Sequence, residues 1–421
     1  MIKAASYDND PAPLSKNISK ELFGRSDGSL VLSASSINSY IDCPFSYYVG
    51  KGLKPKEERA FASDSRSVGD VYHECLMAVA RQLMGDKNLL LKLRETTKNA
   101  ETVNELDYAV HEERTEETVR DAVGEDIALK TVTEGRSLKT AAERETSEPG
   151  NETLEKIVND ALDDISANYR GGLFISAGNE EYRMSRIREI CAAAAKAMAS
   201  QLAAGSVTGA DFEKSFGRRG RFEPIKLNIG GDEVWVEGKI DRADYMDIDG
   251  EERVRIIDYK TGSDKLDLRR MRQGVKMQLM IYLISASSGK KEPAGMFYFN
   301  IKDPIEAAND LSDSKEKALE TRKAEDEFKL KGVYIDEEGV LGAMPENVLA
   351  SSKGGISRED YEAVRSDVIA RIEETASGIL SGKIGINPLK DSNSLPCSWC
   401  GYKAICRRDR GYVKNYARTL K

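Results

Sequence analysis

Between about residues 208 and 300 the hydrophobic period is that of β-structure, broken once by a helix. This order constrains the fold more than any other feature of the chain. FEPIKLNI, VWVEGKIDRADYMDI and RVRIIDYKTG are strand-like runs, MRQGVKMQLMIYLISAS has helical spacing, and AGMFYFNIKD returns to strand. Strand–strand–strand–helix–strand predicts a mixed α/β core, a central sheet flanked by helices. With 421 residues the chain has room for one large domain with an insertion, or for two domains.

The same region carries the chemistry. In EGKIDRADYMDIDGEERVRIIDYKTG (237–262), Asp241 is expected to end one strand. Asp258 and Lys260 lie two apart on the next, so their side chains share a face. A lysine beside one carboxylate and near a second suits metal-assisted phosphodiester hydrolysis. The carboxylates hold Mg²⁺ or Mn²⁺, and the lysine steadies the attacking water and the developing charge. The plain alternative for D-x-K is a surface ion pair on a hairpin. Against it, Asp258 follows the apolar run Val254, Ile256, Ile257 and is expected at a strand end, where sites are built. In the following helix Gln278 and Tyr282 stand at i and i+4, on one face. In GDVYHEC, Gly69 and His73 are one turn apart, and His73 is either a neutral imidazole ligand or a structural residue. Glu213 and Glu237 are further candidate acids.

Taken in order, G-x-x-x-H, G-x-I-D, I-D-Y-K and Q-x-x-x-Y resemble the RecB-type branch of the PD-(D/E)xK nuclease superfamily. The resemblance implies a metal site of His73, Asp241, Asp258 and the backbone carbonyl of Tyr259. It implies Lys260 as the catalytic lysine, with Gln278 and Tyr282 as the supporting helix motif. Asp244 is a second acid in the G-x-I-D region; the alignment favours Asp241 and leaves Asp244 a structural role.

PCSWCGYKAIC (396–406) holds Cys397, Cys400 and Cys406, one thiol short of a four-ligand site. Cys43, in YIDCPFSYY, lies more than 350 residues upstream. In a subset of the RecB-type branch, one cysteine before the core and three after it hold a 4Fe–4S cluster. The resemblance implies that role for Cys43, Cys397, Cys400 and Cys406, with zinc as the alternative. Cys75 and Cys191 lie on apolar helix faces and read as core thiols.

LSASSINSYIDCPFSYYVGKGLKPKE, AGMFYFNIKDP and LKGVYIDEEGVLGAM look like the nuclease domain of the B-type chain of AddAB-type helicase–nucleases. That likeness implies cleavage of single-stranded DNA, the 5′-ended strand, beside an A-type partner subunit, in the processing of double-strand breaks for recombinational repair. The alternatives are a stand-alone iron–sulfur exonuclease like the CRISPR-associated ones, or a non-catalytic DNA-binding scaffold of the same fold. The chain shows no G-x-x-x-x-G-K-[ST] phosphate loop.

The expected plan is a lead-in (1–30), N-terminal helices with Cys43 and His73 (31–86), a helical insertion (87–205), the nuclease core (206–390) and a cysteine-rich end (391–421). Net charge is −8, so DNA contact needs a local basic path. Arg269, Arg270, Arg272 and Lys276 are the candidates, with Lys265 and RRGR (218–221) beside them. Phe45, Tyr47 and Tyr48 either stack bases or pack as core. No apolar run approaches the roughly 20 residues of a membrane span. The amino-terminal residues lack a signal-peptide core, so the cytoplasm is the expected compartment.

Overall fold

The computed structural model describes residues 11–55, 65–86, 89, 92, 149–168, 178–204, 207–262, 264–301, 328–344, 348–391, 394–408 and 417–420. They fall into two compact units. One lies within Met1–Ala62, Gly205–Lys302 and Ser312–Lys421, the other within Ser63–Ala204 and Asp303–Leu311.

The first unit opens with helix α1 (Lys16–Phe23), where an irregular lead-in was expected. Its cap is local: the Ser15 hydroxyl accepts from the Ile18 amide. Strand β1 (Leu30–Leu32) precedes α2 (Ala34–Asp42), whose amino end is capped by Ser33, as the serine run suggests. Cys43 ends α2 in extended geometry and is the residue before α3 (Pro44–Tyr47), because a residue preceding proline is driven out of the helical region. A π-helical turn, Tyr48–Leu53, follows.

The second unit contains α4 (Ser65–Gly85), α5 (Pro149–Asn168) and α6 (Gly178–Ala203). Much of the expected insertion, residues 93–148, lies outside the described residues. So do residues 145–148 of the expected polar loop ETSEPGNET; its remainder, from Pro149, begins α5 instead, since proline suits the first helical turn. Within this unit Cys75 and Cys191 are buried and free, in line with core thiols.

Back in the first unit come β2 (Val207–Phe216), β3 (Ile225–Ile229), β4 (Asp232–Val236), β5 (Gly238–Ile248) and β6 (Glu251–Lys260). Helices α7 (Leu268–Arg272) and α8 (Gln278–Ala286) lead to β7 (Glu292–Asn300). After β8 (Lys331–Ile335) and β9 (Gly355–Ile356) runs α9 (Arg358–Leu380), followed by β10 (Leu389–Lys390), α10 (Lys403–Cys406) and β11 (Arg418–Thr419). Among the described residues the sheets are β2-β5-β6-β7-β8-β9, β1-β4-β3 and β10-β11. The largest is mixed: β6 pairs parallel with β7, while β5 pairs antiparallel with β2 and β6. Its face bearing Ala243, Val254, Ile256 and Met296 joins one apolar core with α8, α9 and the three-stranded sheet. A mixed sheet flanked by helices is the architecture the element order predicted.

Two expected elements are each divided. VWVEGKIDRADYMDI is not one strand: it breaks at Glu237 and contributes β4 to one sheet and β5 to another. The Glu237 amide donates to Leu32 O (2.9 Å), and its carboxylate turns to Arg25 (3.0 Å) and Arg218 (3.2 Å). Asp241 therefore stands near the start of β5, not at a strand end. MRQGVKMQLMIYLISAS is divided by a turn, with Gly274 at φ 96° and Lys276 at φ 56°. Gly274 tolerates the left-handed conformation that stops α7, which starts α8 afresh at Gln278.

Candidate active site

Strand register aligns the acids. The β5–β6 ladder runs from Ile248↔Glu251 to Arg242↔Ile257 and stops there. One further step would place Asp241 opposite Asp258. Instead the Tyr259 amide donates to Asp241 Oδ2 at 3.1 Å, so a carboxylate takes a backbone hydrogen bond at the point where pairing ends. On the other side of β5 the ladder with β2 joins Phe212↔Arg242 and Lys214↔Ile240, and the step between them, Glu213 against Asp241, is omitted. Glu213 has φ 51°, an uncommon left-handed conformation for a residue with a Cβ. Backbone strain of this kind gathers where geometry serves a site. Carboxylate oxygens of Glu213 and Asp241 lie within 4.8 Å of each other, and Lys239 pairs with Glu213. β2 is the element that sequence periodicity passes over, because its apolar residues Val207, Phe212 and Phe216 alternate poorly.

Asp258 is 0% exposed and 2.5 Å from Lys260 Nζ. Gln278 Nε2 donates to Asp258 Oδ1 (2.9 Å) and to the Tyr282 hydroxyl (2.7 Å), while Lys260 Nζ donates to Gln278 Oε1 (3.3 Å). The sequence-predicted Asp241, Asp258, Lys260, Gln278 and Tyr282 thus form one neighbourhood. Burial opposes the charge on Lys260, but the Asp258 carboxylate outweighs it, and its pKa rises above the usual lysine value. The group is an ammonium. Burial raises the Tyr282 phenol, and the Asp258 and Asp241 charges add to it. The Tyr282 ring packs edge-on against Phe216 at 5.6 Å. Phe216 in turn explains the glycine of G-x-I-D: a Cβ on Gly238 would lie 2.7 Å from the Phe216 ring.

The other named acids have structural partners. Asp244, three residues beyond Asp241, faces the opposite side of the sheet. It is wholly buried, with both oxygens 2.7 Å from Arg242 nitrogens and a third bond from Arg255 at 2.9 Å. Burial alone would raise its pKa; the two guanidiniums hold it below the usual carboxylate value. Glu237 is committed to Arg25 and Arg218, which removes it as an accessory acid. His73 lies half-buried on α4 of the second unit.

A model of the PD-(D/E)XK nuclease superfamily matches residues 31–135 and 128–407. The chain belongs to this superfamily. It is also similar to proteins named as the B-type chain of an ATP-dependent helicase/deoxyribonuclease. That of Alkaliphilus metalliredigens is 24% identical over 447 residues, covering 100% of this chain and 33% of the relative. That of Clostridium perfringens is 26% identical over 445 residues, covering 99% and 33%. That of Caldanaerobacter subterraneus is 27% identical over 434 residues, covering 98% and 32%. The chain spans about a third of the length of these relatives.

Around this nuclease core each of the four candidate DNA-contacting cations stands beside an acid. Arg269 meets Asp267 (3.9 Å), Arg272 meets Asp367 (2.5 Å), Arg270 pairs with Asp391 and Lys276 with Asp264. In the RRGR run, Arg218 bonds Asp27 (2.7 Å) and Arg221 bonds Asp211 (3.1 Å).

The cysteines of this superfamily member converge. Cys43, Cys397, Cys400 and Cys406 all line one cavity of about 390 Å³, and all are free thiols. Four thiols around one cavity are the donor set that a 4Fe–4S cluster or a tetrathiolate zinc takes, so the residues fit such a group. The Tyr402 amide approaches Cys400 Sγ at 3.4 Å, and Arg408 reaches Cys397 Sγ at 3.6 Å. Burial pushes the Cys43 thiol up, and the neighbouring Cys397 adds to the rise. Phe45, Val49 and Ile386 pack around Cys43, with Tyr48 against them, and Tyr47 is buried beside Tyr40 and Phe23. Phe45, Tyr47 and Tyr48 are core, not a stacking surface. Among the described residues, no helix is long and apolar enough to cross a membrane.

Proposed function

We propose that this chain is a Mg²⁺- or Mn²⁺-dependent deoxyribonuclease that hydrolyses single-stranded DNA, the 5′-ended strand, as the nuclease part of a two-subunit helicase–nuclease. The observation that carries the reading is the row Glu213, Asp241 and Asp258 across three strands, with Lys260 bonded to Asp258. Asp241, Asp258 and Glu213 would hold the divalent ion, and the G-x-x-x-H and I-D-Y-K motifs add His73 and the Tyr259 carbonyl. The bound ion supplies an activated water and a positive charge opposite the phosphate.

The chain's own groups do the rest. The Tyr259 amide fixes the orientation of Asp241. Gln278 ties Asp258, Lys260 and Tyr282 into one network, so neither the acid nor the lysine needs to reorganise during reaction. Lys260, held as an ammonium, donates to the attacking water or to a non-bridging phosphate oxygen and offsets negative charge as it grows. Cys43, Cys397, Cys400 and Cys406 would hold a 4Fe–4S cluster whose contribution is structural, a cross-link between the α2–α3 junction and the carboxyl-terminal segment. An A-type partner subunit, recombinational repair and a cytoplasmic location accord with the relatives' names and with free thiols.

Cleavage of end-labelled single-stranded and duplex DNA by the full chain, with and without Mg²⁺, tests the reading. Metal-dependent loss of the single strand is expected, abolished in Asp258→Ala and Lys260→Ala. Undiminished cleavage in both variants would overturn it. A scaffold without catalysis would need a broken catalytic set, whereas here every motif position is filled.

A further inference from the structure

Trp399 is one of two tryptophans in the chain, lies between Cys397 and Cys400, and is 71% exposed. Its loop is tied down: Lys403 Nζ donates to Ser398 O at 2.9 Å, and the Cys400 amide meets Cys397 O at 3.4 Å. A large ring presented to water by a fixed loop is informative, because folding normally gains free energy by covering such a surface.

The ring stands where two hollows meet. One is the cysteine cavity; the other, of about 280 Å³, is lined by Trp399 together with Arg270 and Lys276. Arg270 and Lys276 also line a small third hollow with Lys265 and Tyr298. Tyr298 is the β7 partner of Asp258, and its ring lies 5.9 Å from Lys260 Nζ. A continuous wall therefore runs from the catalytic lysine, past Tyr298 and three cations, to the exposed indole. Lys265 has no carboxylate partner among the described residues. The Arg270 and Lys276 pairs are partly exposed, and ion pairs of that kind exchange readily for a phosphate.

We propose that Trp399 is a base-stacking platform for single-stranded DNA on a track leading to Lys260. This rests on the nuclease reading above. Cations along a wall that ends in an exposed aromatic ring match the chemistry of single-strand grooves, in which phosphates follow the charges and a base lies on the ring. A duplex offers no free base face and gains nothing from the indole.

The test uses the full chain with its metal content intact, in EDTA-free buffer with Ca²⁺ in place of Mg²⁺ to suppress turnover, titrated with fluorescein-labelled oligo(dT). Trp399→Leu is expected to weaken binding by about 5- to 100-fold, and Trp399→Tyr to restore most of it. Blunt duplex affinity should be equal in all three proteins. Saturating unlabelled oligo(dT) should quench the indole emission of the unaltered chain, a signal that Trp399→Leu loses while Trp235 remains. Equal oligo(dT) affinity in Trp399→Leu, or no quenching in the unaltered chain, overturns the platform; a protein-docking role for the indole would give that result. Failure of the unaltered chain to cleave with Mg²⁺ instead overturns the nuclease reading and leaves the binding result standing.

Discussion

At the scale of single residues the site is organised by what is missing as well as by what is charged. Gly238 lacks the carbon that would collide with Phe216, and Phe216 braces Tyr282, which shares Gln278 with Asp258. Gly238→Ala should destabilise the protein by about 1–3 kcal/mol, the usual range for overpacking, and lower cleavage in step. Chemical denaturation and the DNA cleavage assay together check this. Asp258 and Lys260 should respond differently to neutralisation. Lys260→Met should reduce cleavage by about 10²–10³-fold, the effect of removing one transition-state donor, while retaining divalent-ion binding. Asp258→Asn should lose both, and calorimetric Mn²⁺ titration separates the two variants. The raised pKa of Lys260 means that its stabilising contribution is full below the ordinary lysine value and is lost only as pH climbs through the raised one.

At the scale of elements, α9 is anchored at its start. Arg358 meets Glu337 at 2.7 and 2.8 Å, and Arg253 of β6 reaches the same carboxylate. These partners, Arg358 first, hold Glu337 down to about 2 from its usual 4.5. A depressed carboxyl stabilises the fold above its unfolded value and loses that contribution as pH falls through the folded one. Glu337→Gln should therefore lower Tm at neutral pH, by the equivalent of about 1 kcal/mol given partial exposure, and the difference should vanish between pH 4.5 and 2. Scanning calorimetry across that range checks it. Helices α2, α4 and α9 were legible because caps and a 3.6-residue period are local. The break between α7 and α8 was not, since Lys276 in a left-handed conformation carries no marker in sequence and Gly274 alone is compatible with a continuous helix.

At the scale of the molecule, the first unit is built from both ends of the chain, and the four cysteines face one cavity from those ends. A cluster on them closes a loop of more than 350 residues. The chain-entropy model values such a closure at about 5–6 kcal/mol. Cys43→Ser should then remove bound iron as fully as a change at Cys397, Cys400 or Cys406, bleach absorbance near about 400 nm, and lower Tm. Anaerobic purification with metal analysis decides it: a colourless protein with stoichiometric zinc would replace iron by zinc.

The sequence by itself determined the order of strands and helix, the shared face of Asp258 and Lys260, and the Gln278–Tyr282 pair. Each follows from a repeat of two or about four residues along one strand or helix. Only the tertiary structure decided that Glu213 faces Asp241, that VWVEGKIDRADYMDI serves two sheets, and that Trp399 stands open beside the cysteine cavity. Those outcomes depend on register between strands and on packing between distant segments. Such contacts are selected by the whole core, so no short window of residues contains them.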